Sequence, residues 1–242
     1  MIIGEESPLR RLPYKLNHSQ ALFFDGIRFS VQMADLSYNR LRETAHRLTN
    51  NNEKTDTSRQ LITSAFLDAW SIIDSIYRLR SLILQAPGIK QNVPPIQIFK
   101  RKTKDVEELR HIIQHLNREL HKRGKEAWPV WGTLNWFTVL DTEKFTGCAC
   151  ILVAGSLKHK EVANEKVENL IPAGKSSNHP VVNINLKTSG YVISLTELIE
   201  CVQNVISPLE KELTEQFEEL PHAASDLLIR MVVTHNKPKN ST

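Results

Sequence analysis

The chain has 242 residues, enough to bury a sizeable core without disulfide staples. With 24% charged and 40% hydrophobic residues and no apolar run near the roughly 18 residues of a membrane span, a soluble protein without membrane segments is expected. Net charge is +4, which permits nucleic-acid binding without requiring it. Three cysteines fit a reducing cytoplasm, and the first twenty residues lack a secretion signal's charged-then-apolar pattern.

Residues 1–18 read as an irregular arm containing Pro8 and Pro13. Asp25 is the expected cap of a helix in which Ile27, Val31, Ala34, Tyr38, Leu41, Ala45 and Leu48 recur at intervals of four and three. A second helix, about 58–85, is apolar on most of its circumference and should form the buried centre of a bundle. On it Asp68, Ser71, Ser75 and Arg78 make a polar stripe, with Asp74 four residues before Arg78. Two readings of the stripe stand: an internal Asp74–Arg78 ion pair, or a face turned toward the next helix across a cleft.

Pro87 and Gly88 stop that helix, and Pro94 and Pro95 predict an extended connection. From Thr103 to Gly124 the spacing predicts one amphipathic helix, with Val106, Leu109, Ile113, Leu116 and Leu120 on its core face. Its flanks carry Arg110, His111, Gln114, His115, Asn117, Arg118 and His121. Between Lys100 and Lys125 there are nine basic and four acidic residues, a local balance of +5 that leaves −1 for the rest. Lys100, Arg101, Lys102, Lys104, Lys122, Arg123 and Lys125 are therefore the candidates for contact with a phosphate backbone, the alternative being a solvated helix with basic ends.

After Gly124 the period changes to that of strands. Residues 128–140, 145–153 and 181–186 are rich in aromatic and β-branched side chains, with Asp141–Lys144 and Thr188–Gly190 as turns. Residues 158–178 read as a polar loop. The 127–193 stretch is thus a small antiparallel sheet inserted before the C-terminal helices, within a single domain spanning 1–242. Trp128, Trp131 and Trp136 suggest that it gates a cleft or binds a partner. Ser194–Glu197 has capping-box spacing, Pro208 predicts a kink or fresh start, Asp226–Val233 a short helix, and 235–242 a disordered tail.

Several chemistries lack their motifs. Gly174-Lys175-Ser176 ends like a phosphate-binding loop, but Asn169 stands where its first glycine is needed. His111 and His115 are one turn apart, yet the pattern lacks the glutamate of H-E-x-x-H and a third ligand, so neither metal nor cofactor is expected. Cys148 and Cys150 point the same way on one strand without further ligands, and packing is their expected role.

Arg110-His111-Ile112-Ile113-Gln114-His115 resembles the signature of the HEPN superfamily: an arginine, a polar residue, and a histidine after four to six intervening positions. The helical bundle, the long buried helix before the motif and its acidic residues resemble that superfamily as well, over about 25–122 plus the C-terminal helices. The implied fold is a mainly α HEPN-like bundle, here with a small antiparallel β-sheet inserted. The implied activity is metal-independent RNA cleavage with Arg110 and His115 as catalytic residues at a homodimer cleft. His111, Asp74, Asp68, Arg78, Gln114 and Arg118 would support them. RNA, a second copy of the chain and, for a toxin or defence role, a neutralising protein are the implied partners. On one continuous helix Arg110 and His115 would lie about 140° apart, which makes a dimer the natural way to converge them. The motif departs from the commoner Arg-Asn form, and no tyrosine follows His115 closely. Many HEPN relatives are non-catalytic nucleotide-, RNA- or protein-binding modules, and that reading stands beside the ribonuclease.

Overall fold

The computed structural model describes residues 1–50, 56–123, 129–141, 146–155, 179–216 and 226–231. The chain is mainly helical with a small four-stranded antiparallel sheet. Among the described residues no helix is long and apolar enough to cross a membrane.

Helix α1 (His18–Asn50) and helix α2 (Asp56–Gln85) pack along their lengths as the central hairpin. The periodic residues of α1 from Ile27 to Ala45 are buried, as their spacing requires. Its start differs from expectation. Asp25 lies inside the helix, and the cap is Asn17, whose Oδ1 accepts from the Gln20 N–H at 2.9 Å while Gln20 Oε1 accepts from the Asn17 N–H at 3.1 Å. Such a reciprocal box satisfies two backbone donors that a single Asp would not.

On α2 the polar stripe divides. Ser71 meets Ser37 of α1 through their hydroxyls at 2.9 Å, and Asp68 meets Arg40 of α1 at 3.2 Å. These contacts set the antiparallel register, so Met33 and Leu36 lie level with residues 72–75. Asp68 therefore belongs to the hairpin rather than to the predicted site, because its side chain points to α1. Its carboxylate is 3% exposed with one oxygen unpartnered, whereas Arg40 is 53% exposed. Burial pushes the Asp68 carboxyl above its ordinary value despite Arg40. A raised carboxyl favours the fold below its unfolded value, and that advantage is lost as pH rises through its higher folded value. Asp68→Asn, which removes the desolvated charge, should raise the urea midpoint at pH 7 by the equivalent of about 1 kcal/mol. The difference from wild type should shrink in acid.

The expected single helix from Thr103 to Gly124 is two helices, α4 (Lys104–Gln114) and α5 (Leu116–Arg123), and a further helix, α3 (Pro94–Lys102), runs directly into them. Pro94 and Pro95 start α3 rather than keeping the chain extended, since the first turn needs no N–H from them. At the first joint Thr103 is fully buried and its hydroxyl donates back to the Phe99 carbonyl at 2.7 Å. Arg80 of α2 inserts there, donating to the Lys100 carbonyl and to Thr103 Oγ1. That guanidinium takes over the Lys100 carbonyl, which a continuing helix would have used. The second joint is His115, at φ −109° and ψ 29°, with its N–H on the carbonyls of His111 and Ile113. Val106 and Leu109 are core as expected, and Ile112 also packs against the core.

Strands β1 (Thr133–Asp141), β2 (Thr146–Val153), β3 (Val181–Thr188) and β4 (Tyr191–Ser194) lie in the order β2-β1-β3-β4. Ser189 and Gly190, both at positive φ, turn β3 into β4. The expected turn at 142–145 and loop at 158–178 fall outside the described residues. Leu134, Trp136, Ile184, Leu186 and Ile193 join the same apolar core as α1, α2 and the last helix, α6 (Leu195–Gln216), so the sheet is a wall of the core. Trp136 is only 3% exposed and donates its indole N–H to Thr49 Oγ1 of α1 at 3.0 Å, which makes it structural rather than a gate.

Ser194 Oγ accepts from the Glu197 N–H at the start of α6, as the capping-box spacing implies. The helix then continues through Pro208 without a restart. Pro208 lies on the exposed side, where the carbonyl it leaves without a donor can turn to water. The short helix expected from Asp226 is not present over 226–231. Asp226 instead pairs with the buried Arg28 at 2.8 Å, and the apolar side chains after it have no surface against which to form a helical face. The expected tail, 235–242, lies outside the described residues.

Candidate functional site

The predicted residues meet where α4 crosses α2. Val106 and Leu109, buried on α4, hold that helix against α2 and turn Arg110 toward it. Arg110 Nε donates to Asp74 Oδ1 at 2.5 Å, and Arg78 Nε donates to Asp74 Oδ2 at 2.7 Å. One carboxylate thus bridges two guanidinium groups. The pair within α2 forms, and of the stripe's remaining side chains Asp68 and Ser71 face α1 while Asp74 also meets the motif helix directly. With its amide oriented to suit the network, Gln114 Oε1 accepts from Arg110 Nη1 and Nη2 at 2.6 and 3.0 Å. Tyr77 closes the far side, its ring 5.7 Å from the Arg110 guanidinium.

Burial pushes the Asp74 carboxyl up, but the hydrogen bonds and charges of Arg78 and Arg110 outweigh it and hold it below its ordinary value. A lowered carboxyl contributes stability that is present above the unfolded value of about 3.9 and is lost as pH falls through the folded one. Wild type should therefore exceed Asp74→Asn in urea midpoint at pH 6, and the two should converge as the medium is acidified below about pH 4. Equal pH dependence in the two proteins would show that the bridge does not form.

The histidines sit at the α4–α5 joint. His111 and His115 are both exposed and meet edge to face, with ring centroids 4.6 Å apart. His111 Nε2 lies 3.4 Å from Arg118 Nη2. The break at His115 removes the 140° argument, since the two motif residues do not share one helix. Among the described contacts none joins Arg110 to His115, whose ring meets that of His111. The described residues contain no group of three or more His, Cys, Asp or Glu placed to hold a metal. Cys148 and Cys150 are half-buried with their sulfurs 3.6 Å apart, beside Thr49.

No family model, curated protein or solved structure matches this chain.

The basic candidates distribute unevenly. Arg101 and Lys104 are exposed, Lys100 is half-buried, and Lys102 lies 3.7 Å from Glu197 of α6. Lys122 and Arg123 belong to α5, but their side chains, and Lys125 entirely, lie outside the described residues. The sequence reading missed Tyr77 and Arg80. Tyr77 carried a signal, an aromatic one turn beyond Asp74. Arg80 carried none, because its partners are 20 and 23 residues away.

Proposed function

We propose that the chain is a HEPN-type, metal-independent endoribonuclease that works as a homodimer. The observation that supports it best is Arg110, held between Asp74, Gln114 and Tyr77 with its motif partner His115 at the adjoining helix joint. With Nε on Asp74 and one hydrogen of each Nη on Gln114, the guanidinium keeps one further hydrogen on each Nη that it can present to a phosphate. An exposed imidazole nearby can take the proton of a ribose 2′-hydroxyl as that oxygen attacks phosphorus. The bond to the 5′-oxygen breaks, the departing oxygen is protonated, and a cyclic phosphate remains. DNA has no 2′-hydroxyl and is not cut.

The dimer draws on a second observation. Leu22, Phe29, Met33 and Leu36 form an exposed line on α1, opposite its buried face, at intervals of seven, four and three. Leu67, Ser71, Asp74 and Arg78 form a line on α2 at four, three and four, and Ser71 touches α1. Isologous pairing through this apolar face sets two Asp74–Arg110 clusters beside one interface. Residues contributed across it supply the contact between Arg110 and His115 that one chain lacks.

A non-catalytic RNA- or nucleotide-binding module is the second reading, and one observation favours it: Asp74 and Gln114 already occupy Arg110. Incubating purified protein with single-stranded RNA in excess chelator separates the two. Cyclic-phosphate products support the ribonuclease, whereas binding without product supports the module. Cleavage that appears only with a divalent ion overturns the proposal.

A further inference from the structure

Trp131 precedes β1 in a tight turn, with the Gly132 N–H on the Pro129 carbonyl at 2.8 Å. Gly132 is at φ +83°, and a Cβ there would sit 2.5 Å from the Lys187 carbonyl oxygen. The turn is therefore pinned directly on β3 and tolerates no side chain at that position. The Trp131 carbonyl accepts the indole N–H of Trp70 on α2 at 3.2 Å, and the two rings meet edge to face at 6.4 Å. Despite these restraints Trp131 remains 46% exposed. A rigidly held indole left open to water presents an aromatic surface at little entropic cost.

Its position gives that surface a ligand. Trp70, Asp74 and Tyr77 follow one another on α2 at intervals of four and three, so they share one flank of the helix. Arg110 meets that flank at Asp74 and Tyr77, and Trp131 meets it at Trp70. The intervening helix rises only about 6 to 10 Å. Arg78 and Arg110 share the one carboxylate of Asp74, so two positive charges meet one negative and the neighbouring site is cationic. A cationic phosphate site with a fixed aromatic plane beside it is the arrangement that holds unpaired nucleotides.

We infer that Trp131 is a base-stacking subsite next to the Arg110 phosphate site, and that the ligand is single-stranded rather than paired RNA. This rests on the proposed function and goes beyond it by naming a base-stacking residue outside the Arg–His motif. Stacking uses the face of a base, which a duplex keeps covered by its own neighbours. The subsite therefore tolerates many bases and rejects paired ones.

The test uses the full chain, excess chelator and a fluorescein-labelled ten-nucleotide RNA with every ribose 2′-O-methylated to block cleavage. Anisotropy gives Kd for wild type, Trp131→Ala, Trp131→Phe and Arg110→Ala, on the single strand and on the same strand annealed to its complement. Trp131→Ala should weaken the single strand about 5- to 100-fold, the worth of stacking one base. It should leave the weaker duplex binding unchanged, and Trp131→Phe should keep most of the affinity. Full affinity in Trp131→Ala with loss in Arg110→Ala overturns the subsite and leaves the proposed function standing. Equal losses on both strands, or no rescue by phenylalanine, reduce Trp131 to a structural role and overturn it. Failure of wild type to bind either RNA overturns the subsite together with the reading beneath it.

Discussion

If the chain cleaves RNA as proposed, Arg110→Ala and His115→Ala should each lower chelator-resistant cleavage of single-stranded RNA by about 10²- to 10⁴-fold, the range expected when a positioned proton-transfer or charge-stabilising group is removed. The structure makes both variants interpretable. Removing Arg110 leaves Asp74 paired with Arg78, so no carboxylate is orphaned. His115 is exposed and caps α4 through its backbone, which alanine retains. Thermal midpoints should therefore stay close to wild type while cleavage falls. The double variant should be little worse than either single one, because groups acting as one unit lose their function together. Residual cleavage at the wild-type rate in either single variant removes that residue from the mechanism.

Leu36→Asp should turn the proposed dimer into a monomer and remove cleavage with it. In an isologous interface each substitution acts twice, and a buried leucine is worth about 1.5 to 3 kcal/mol. Doubling that amount predicts dimer dissociation constants raised by about 10²- to 10⁴-fold. Sedimentation equilibrium reads the change directly. Leu36 is 59% exposed within one chain, so the monomer's own core is not disturbed and its circular dichroism should match wild type. Gln203→Ala, at an exposed position on α6 rather than on the apolar line of α1, is the control that should leave association intact. A wild-type protein that sediments as a monomer at cleaving concentrations refutes the dimer and forces Arg110 and His115 to meet within one chain.

The elements built on long periodic segments were legible in the sequence because burial repeats along them. Ile27 to Ala45 on α1 and the apolar circumference of α2 show this, and so does the alternation in β1 and β3. The boundaries were less legible. Asp25 offered a cap at the right place for the apolar run, but the Asn17–Gln20 box satisfied more backbone donors and started the helix earlier. The segment 103–124 kept helical spacing throughout, yet its separation from α3 depends on Arg80, which reaches in from another helix to take the Lys100 carbonyl. No local pattern announces such a competitor. The break at His115 has no Gly, Pro or other sequence signal, and the structure gives no physical account of it.

Residue types and spacing determined by themselves that the chain is mainly helical, where its strands lie, and that Arg110, His111, Gln114 and His115 crowd one segment. They also placed Asp74 one turn from Arg78, since an i, i+4 pair is a property of the helix alone. Only the tertiary structure decided that Asp74 serves Arg110 as well, that Asp68 belongs to Arg40, and that Trp131 stands on the flank of α2 that Arg110 meets. Periodicity reports which face of an element is buried but not which partner buries it, and a contact between residues 36 positions apart is set by the packing of whole helices.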